Sequence, residues 1–422
     1  MKYKTYQSYK DSGVEWLGGV PEHWETNRLK FLTSITTGNK DTENKVDDGD
    51  YPFYVRSQTV ERINSYSFNG EGILTAGDGV GVGKVFHYAD GKFDYHQRVY
   101  LFYAFRKVIG RFLFEYIKNN FYKVALAGVA KSTVDSLRLP LIQNFVITVP
   151  PLREQQSIAT YIDKATAKID TTIAKQTQLI ELLKEKRQAL ISTSVTRGLD
   201  NTVAMKDSGV EWLGEIPEHW FLSKLRFQIN GIKDGTHGSH KNVESGRILL
   251  SGKNVQNGKL LIAANERIIS EEAHQSIVSN GFPQKGDILF VSIGATLGKV
   301  CVYPNDKPIA FQRSVCFVRP KKNMLPELLY YILRSHSAQS QLKVLTNQAT
   351  ISGVYMGDLV EIIVPVVPFY EQEEIVFYIT NSLLKYQTLI YKATKSIALL
   401  KEKRTALISS AVTGKIDVRE AV

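Results

Sequence analysis

Following Pro150-Pro151, and again following Pro368, Gly and Pro vanish for over forty residues and helix-forming residues take over. Ile162, Ile169, Gln176, Leu183 and Leu190 recur at seven-residue steps, with Ile158, Ala165, Thr172, Leu179 and Lys186 as a companion row. The later stretch repeats the pattern in Ile379, Tyr386, Ala393, Leu400 and Leu407, accompanied by Ile375, Ser382, Leu389, Ser396 and Lys403. A seven-residue repeat places one apolar stripe along a helix, so each stretch predicts a single long helix. At 1.5 Å per residue, about 40 residues make a spacer of roughly 60 Å. The chain must run out along one helix and return along the other. An antiparallel pair is therefore expected, packed through Ile162, Ile169, Leu183, Leu190, Ile379, Leu400 and Leu407.

Ahead of each helix the pattern is different. YPFYVRSQTV from Tyr51 and RVYLFYAF from Arg98 are rich in β-branched and aromatic residues, with Gly at frequent intervals. These are strand and turn signals, and shorter helical patches such as Arg111 to Tyr122 sit among them. The fold class predicted is α+β: two similar globular domains separated by a pair of long antiparallel helices, internally duplicated and pseudo-two-fold.

The duplication is written in the residues. KDSGVEWLG occupies Lys10 to Gly18 and returns at Lys206 to Gly214, each copy running on to Pro-Glu-His-Trp at Trp24 and Trp220. LLKEKRQALIS at Leu182 to Ser192 returns as LLKEKRTALIS at Leu399 to Ser409. The first block is displaced by 196 residues and the second by 217, so the ends are kept while the middles have drifted. A period near 200 residues is far longer than solenoid repeats of about 20 to 50, which makes this the duplication of a whole domain with its appended helix. Two related but non-identical domains imply two related but non-identical targets. The boundaries expected are 1–150 and 199–367 for the domains, and 151–198 and 368–422 for the helical regions.

At 422 residues and 43 % hydrophobic, the chain can bury sizeable cores. Its longest apolar runs fall well short of the ~20 residues of a membrane helix, and MKYKTYQSYK lacks the apolar core of a signal peptide; a cytoplasmic protein without membrane partners is the expectation. Cys301 and Cys316 are too few for a disulfide framework and form no CxxC pair, so they read as small core residues. The formal charge of +11 favours polyanionic partners.

Taken in order, SGVEWLGxxPEHW, a variable domain, the Glu-Gln junction at Pro150 to Gln155 and Pro368 to Gln372, and the long helix ending LLKEKRxALIS resemble the specificity subunit of type I restriction–modification enzymes. The series occurs twice and covers essentially the entire chain. The resemblance implies two target-recognition domains, each reading one half of a split, asymmetric sequence in double-stranded DNA, held apart by the helices. It also implies two methylation subunits, which carry the S-adenosylmethionine site and modify adenine, and two restriction subunits. The chain itself would then be non-catalytic and need no cofactor. The junctions differ, PPLREQQSIA against VPFYEQEEIV, which points to unequal partner contacts at the two ends. A coiled-coil scaffold whose domains bind protein is the alternative.

Other chemistry fits less well. GDGVGVGK at Gly77 to Lys84 lacks the GxxxxGK spacing and the following Ser or Thr of a nucleotide loop, as does IGATLGKV ending at Val300. A shared Gly-Lys connection between strands is expected instead. No Asn/Asp-Pro-Pro-aromatic motif for adenine methylation is present. His237 and His240 share a Gly-rich loop without a third metal ligand. Base reading calls for Arg or Lys towards guanine and Asn or Gln towards adenine, on loops that enter a groove. The candidates are Arg56, Ser57, Gln58, Lys131 and Ser132 in the first domain, and His237, His240, Lys241, Lys253, Asn254 and Gln256 in the second. Gln97-Arg98 and Gln312-Arg313 match in both and are expected to brace the domain or hold a phosphate. Trp24 and Trp220 are expected to clamp each domain to a helix end.

Overall fold

A computed structural model describes residues 4–125, 137–305, 307–347 and 353–420. The chain divides into two compact units, Met1–Thr177 with Thr394–Val422, and Gln178–Ala393. Each unit therefore takes one β-rich head and a part of both long helices.

In the first unit a four-stranded antiparallel sheet runs in the order Ser34–Thr37, Val99–Tyr103, Gly72–Ala76, Phe86–Ala89. A second sheet sets Tyr51–Tyr54 parallel to Lys92–Tyr95, with Glu61–Ile63 and Phe68–Asn69 outside them. The helix Gly110–Asn120 buries Phe112, Leu113, Tyr116 and Ile117 against the first sheet. The second unit repeats the topology: Ile229–Asp234, Val315–Pro320, Ile288–Val291 and Val300–Val302 in one antiparallel sheet, and Arg247–Leu250 parallel to Ala310–Phe311 in the other. The duplicated ends thus enclose duplicated strand orders, and the mixed helix and sheet content is the α+β class expected.

The long helices are single elements, Leu152–Arg197 of 46 residues and Phe369–Val412 of 44. In the first unit Ile158 and Ile162 share one core with Leu407, Ile408, Ala411 and Val412, and Arg404 forks onto both carboxylate oxygens of Asp170 at 2.9 and 3.2 Å. Higher numbers on one helix meet lower numbers on the other, so the pairing is antiparallel. In the second unit Ile191 and Val195 share a core with Ile375 and Ile379. Ile169 and Leu183 are buried, while Leu190 and Leu400 are half-buried.

The expected companion row is met in part: Ile158 and Ile375 are buried and Ala165, Ser382 and Ser396 half-buried, whereas Thr172, Leu179, Lys186, Leu389 and Lys403 are exposed. In the row one residue further on, Thr166, Ile173, Ile180, Arg187 and Ser194 are all buried or half-buried, as are their counterparts Leu383, Ile390, Ile397, Arg404 and Ala411. Leu179 and Leu389, placed in the seam by reading steps of three from the main row, are 42 % and 47 % exposed. Positions three and four away both neighbour a seam residue; towards the middle of the helices the step of four supplies Ile173, Ile180, Ile390 and Ile397, and the leucines a step of three away face outward.

Two side chains at each junction fix the head to its helix. The Gln155 amide accepts from Ile109 N–H and donates to the carbonyls of Lys107 and Pro150. Gln372 repeats this with Leu325 N–H and the carbonyls of Asn323 and Val367. Glu154 accepts from Tyr6, His23 and Trp24, and Glu371 from His219 and Trp220. Trp24 and Trp220 are fully buried, as the structural reading of these motifs anticipated. Cys301 and Cys316 are buried core residues.

Candidate nucleic-acid interface

In the first head the strand Ser34–Thr37 ends at Gly38, where a Cβ would lie 1.9 Å from the carbonyl oxygen of Tyr95. Only glycine allows that approach, and it brings the following loop beside Gln97 and Arg98. Gln97 donates its backbone N–H to Lys40 O at 2.8 Å and its amide to Asp41 at 2.6 Å. The strand Tyr51–Tyr54 ends in the same place, because His96 N–H bonds to Tyr54 O. Arg56, Ser57 and Gln58 follow it and are exposed.

These three are ordered by neighbours. Ser57 donates to Thr59 O at 2.9 Å, and Gln58 donates its amide to Lys84 O at 2.9 Å. Arg56 Nη1 donates to Asp78 Oδ1 at 2.9 Å, while Arg98 Nη1 donates to Asp78 Oδ2 at 2.6 Å. Asp78 belongs to the Gly77–Lys84 connection, which turns through a short 3-10 segment at Gly79–Gly81 and closes at Gly83 with φ +67°. Burial alone would raise the Asp78 carboxyl; the hydrogen bonds from the two arginines outweigh it and hold it below its ordinary value. Lys131 and Ser132 lie outside the described residues.

The second head uses the same frame. A Cβ on Gly235 would lie 2.1 Å from Phe311 O, and Gln312 N–H bonds to Leu250 O. His237 pairs with Asp234, His240 Nε2 lies 2.9 Å from Thr236 Oγ1, and both line a cleft of about 260 Å³ with Lys233 and Phe311. Lys241 is exposed. Lys253 is exposed and anchored on the buried Glu266 at 2.9 Å. Burial would raise Glu266, but Lys253, the Ala263 amide and Asn254 together hold it below its ordinary value. Gln256 is exposed and donates to Lys253 O at 2.6 Å.

Asn254 points the other way. It is 2 % exposed; its amide donates to Leu261 O and Glu266 and accepts from Ser251 N–H. In this conformation it builds the loop and presents nothing outward. Sequence reading chose it by residue type, and the Ser-x-x-Asn spacing of a reciprocal cap was the clue to its inward role.

Each head therefore sets strand-end loops side by side, with exposed cations and amides on a rigid β frame. Two anchoring acids, Asp78 and Glu266, were not among the sequence candidates. Asp78 had been weighed only as part of a nucleotide loop, and Glu266 carries no local motif. Charged donors held in place by carboxylates, with exposed amides between them, suit phosphates and base edges.

This arrangement defines a two-headed, internally duplicated binding protein. The family model for the type I restriction modification DNA specificity domain matches residues 21–182 and 241–397, and the chain belongs to that family. Similar proteins are the type I restriction enzyme EcoDI specificity subunit of Escherichia coli, 24 % identical over 94 % of this chain and 90 % of the relative, and the MjaVIII specificity subunit of Methanocaldococcus jannaschii, 25 % identical over 98 % of each. Among solved structures, a chain from work on complex assembly and conformational transition of the type I R-M system is 15 % identical with a TM-score of 0.68, covering 93 % of this chain and 98 % of that one. The HsdS subunit from Thermoanaerobacter tengcongensis is 16 % identical with a TM-score of 0.53, covering 94 % of this chain and 98 % of that one. Both share the fold. Among the described residues, no helix is long and apolar enough to cross a membrane.

Proposed function

We propose that this chain is the DNA-reading subunit of a type I restriction–modification complex, in which each head reads one half of a bipartite, asymmetric duplex site. On this reading residues 1–150 and 199–367 are the reading regions, and 151–198 and 368–422 are the helical regions that set the spacing and dock the methylation subunits. The chain has no catalytic role of its own; adenine methylation and cleavage are performed by the methylation and restriction subunits it directs.

The observation that carries this is a shared frame with unshared loops. Gly38 and Gly235 make the same close approach, His96 and Gln312 give the matching N–H bonds to Tyr54 O and Leu250 O, and Gln97 and Arg313 those to Lys40 O and Thr236 O, so the two Gln-Arg pairs stand one residue out of step rather than at matching places. The residues beside them differ: Arg56, Ser57 and Gln58 in one head, His237, Lys241, Lys253 and Gln256 in the other. A common frame positions the loops, while donors that vary on it select bases. The net charge of +11 supports a polyanionic partner.

Docking on the second long helix is supported by Tyr370, Phe377, Leu384 and Tyr391, spaced by seven and 73, 72, 63 and 66 % exposed. The matching positions of the first helix, displaced by 217, hold Arg153, Thr160, Ala167 and Ala174. A partner helix thus has an aromatic stripe to pack on at one site and a smaller, more polar one at the other, in keeping with the unequal junctions. The protein-binding feature is part of the same function and does not favour a scaffold.

The test is enrichment of a random duplex library by this chain in complex with its methylation subunit. Two short half-sites at fixed separation are expected; a pool without an enriched motif would defeat the reading.

A further inference from the structure

The two heads hold their cations differently, and one arrangement has no counterpart. Ala76 pairs with Val99 in the first head and Val291 with Val315 in the second. Two residues beyond those strand ends stand Asp78 and Ile293. Likewise Tyr54 pairs with Tyr95 and Leu250 with Phe311, and two residues beyond stand Arg56 and Gly252. Because Val99 and Val315 correspond, Arg98 is matched by Ser314, and the second head lacks the acid and both arginines at these places.

In the first head Asp78 is 8 % exposed and takes Nη1 of each guanidinium. The side chains of Arg56 and Arg98 are 45 % and 63 % exposed. Nη2 and Nε of both make no hydrogen bond among the described residues, which leaves a two-donor edge free on each. Two guanidinium groups this close repel one another; a single buried carboxylate between them offsets that repulsion and fixes the plane of each. A planar two-donor edge is what the O6 and N7 acceptors of guanine require in the major groove. Arg56 shares its loop with the exposed Ser57 and Gln58, side chains placed to approach a base edge, whereas Arg98 immediately precedes the strand Val99–Tyr103 and belongs to the frame, where backbone contacts position a protein.

We infer that Asp78 is a positioning residue for sequence selection by the first head, holding Arg56 for the major-groove edge of one guanine and Arg98 for backbone phosphate. The inference rests on the reading function proposed above. It assigns a guanine to one half-site only, and it makes selectivity at that base depend on a residue that does not itself touch DNA.

The experiment uses the complex of this chain with its methylation subunit and the same duplex library, comparing wild type with Asp78→Asn, Arg56→Ala and Arg56→Lys. Asp78→Asn keeps the shape of the side chain but loses the charge; Arg56→Lys keeps the charge and loses the planar fork. All three are expected to relax the same single guanine position of one half-site, each by about 10-fold or more, the scale of one bidentate base contact. The other half-site and the spacing stay as in wild type. A merely structural brace would lower binding to every sequence and leave the motif intact, and that result from Arg56→Lys or Asp78→Asn overturns the inference. Should Asp78→Asn fail to fold, Arg56→Lys decides alone. A wild-type complex with no split motif would instead refute the reading function itself.

Discussion

Trp24 donates its indole N–H to Glu154 at 3.1 Å, tying the motif that opens the first head to the first turn of the first long helix. Trp220 and Glu371 repeat the bond at 3.1 Å. The strictest sequence duplication in the chain therefore maps onto one repeated joint between strand-rich head and helix.

Removing that joint destabilises the protein. Glu154→Ala strands the buried Trp24 indole and Tyr6 hydroxyl, each costing about 1–3 kcal/mol. Glu371→Ala orphans the Trp220 indole and loses the His219 contact, so its effect is smaller. Chemical denaturation of both variants checks the order: the midpoint falls more for Glu154→Ala, and equal midpoints would contradict it.

The helix seam gives a second prediction. Ile162 and Ile379 are buried at 1 % and 0 %, so Ile→Ala at either costs about 2–5 kcal/mol. Leu179→Ala and Leu389→Ala, at exposed positions, change stability by no more than ~0.5 kcal/mol. Denaturation midpoints separate this seam from one that runs through the two leucines.

On the exposed stripe, Phe377→Glu is expected to leave stability unchanged and to weaken association with the methylation subunit by about 10-fold, the scale of one lost interface anchor. Thr160→Glu, at the matching place of the first helix, is expected to do less. Titration calorimetry with the two variants reads both effects.

The thiols provide a chemical check on the second head. Burial pushes Cys301 and Cys316 from 9.0 up to about 12, and only the thiolate reacts. Native protein is expected to resist alkylation from pH 7 to 9, where an ordinary cysteine accelerates, and to react at both thiols once unfolded. Linkage has a definite sign here: the folded state favours the protonated thiols, so this stabilisation is full below about pH 9 and is lost as pH rises towards 12.

Much of the fold was legible because the chain repeats itself. The long helices followed from the absence of Gly and Pro and from the seven-residue rows, and the duplicated ends fixed the number of heads. The companion row holds at Ile158, Ala165, Ile375, Ser382 and Ser396 and fails at Leu179 and Leu389, because positions three and four from the main row both border it and Ile180 and Ile390, next to those leucines, take the inner place. The loop chemistry was legible by residue type alone. Arg56, Gln58, Lys253 and Gln256 are exposed, but Asn254 turned inward, since an amide next to a turn serves the backbone as readily as a ligand. Asp78 and Glu266 escaped because a carboxylate that anchors a distant cation is recognised only when the fold brings the two together.

Adenine-methylation mapping across whole genomes tests the central claim most directly, comparing cells that hold this chain and its methylation subunit with cells lacking only this chain. A split, asymmetric N6-methyladenine motif that disappears with the chain is predicted, its two halves corresponding to the two heads. An unchanged methylation pattern, with the chain verifiably expressed in the first cells, would contradict it.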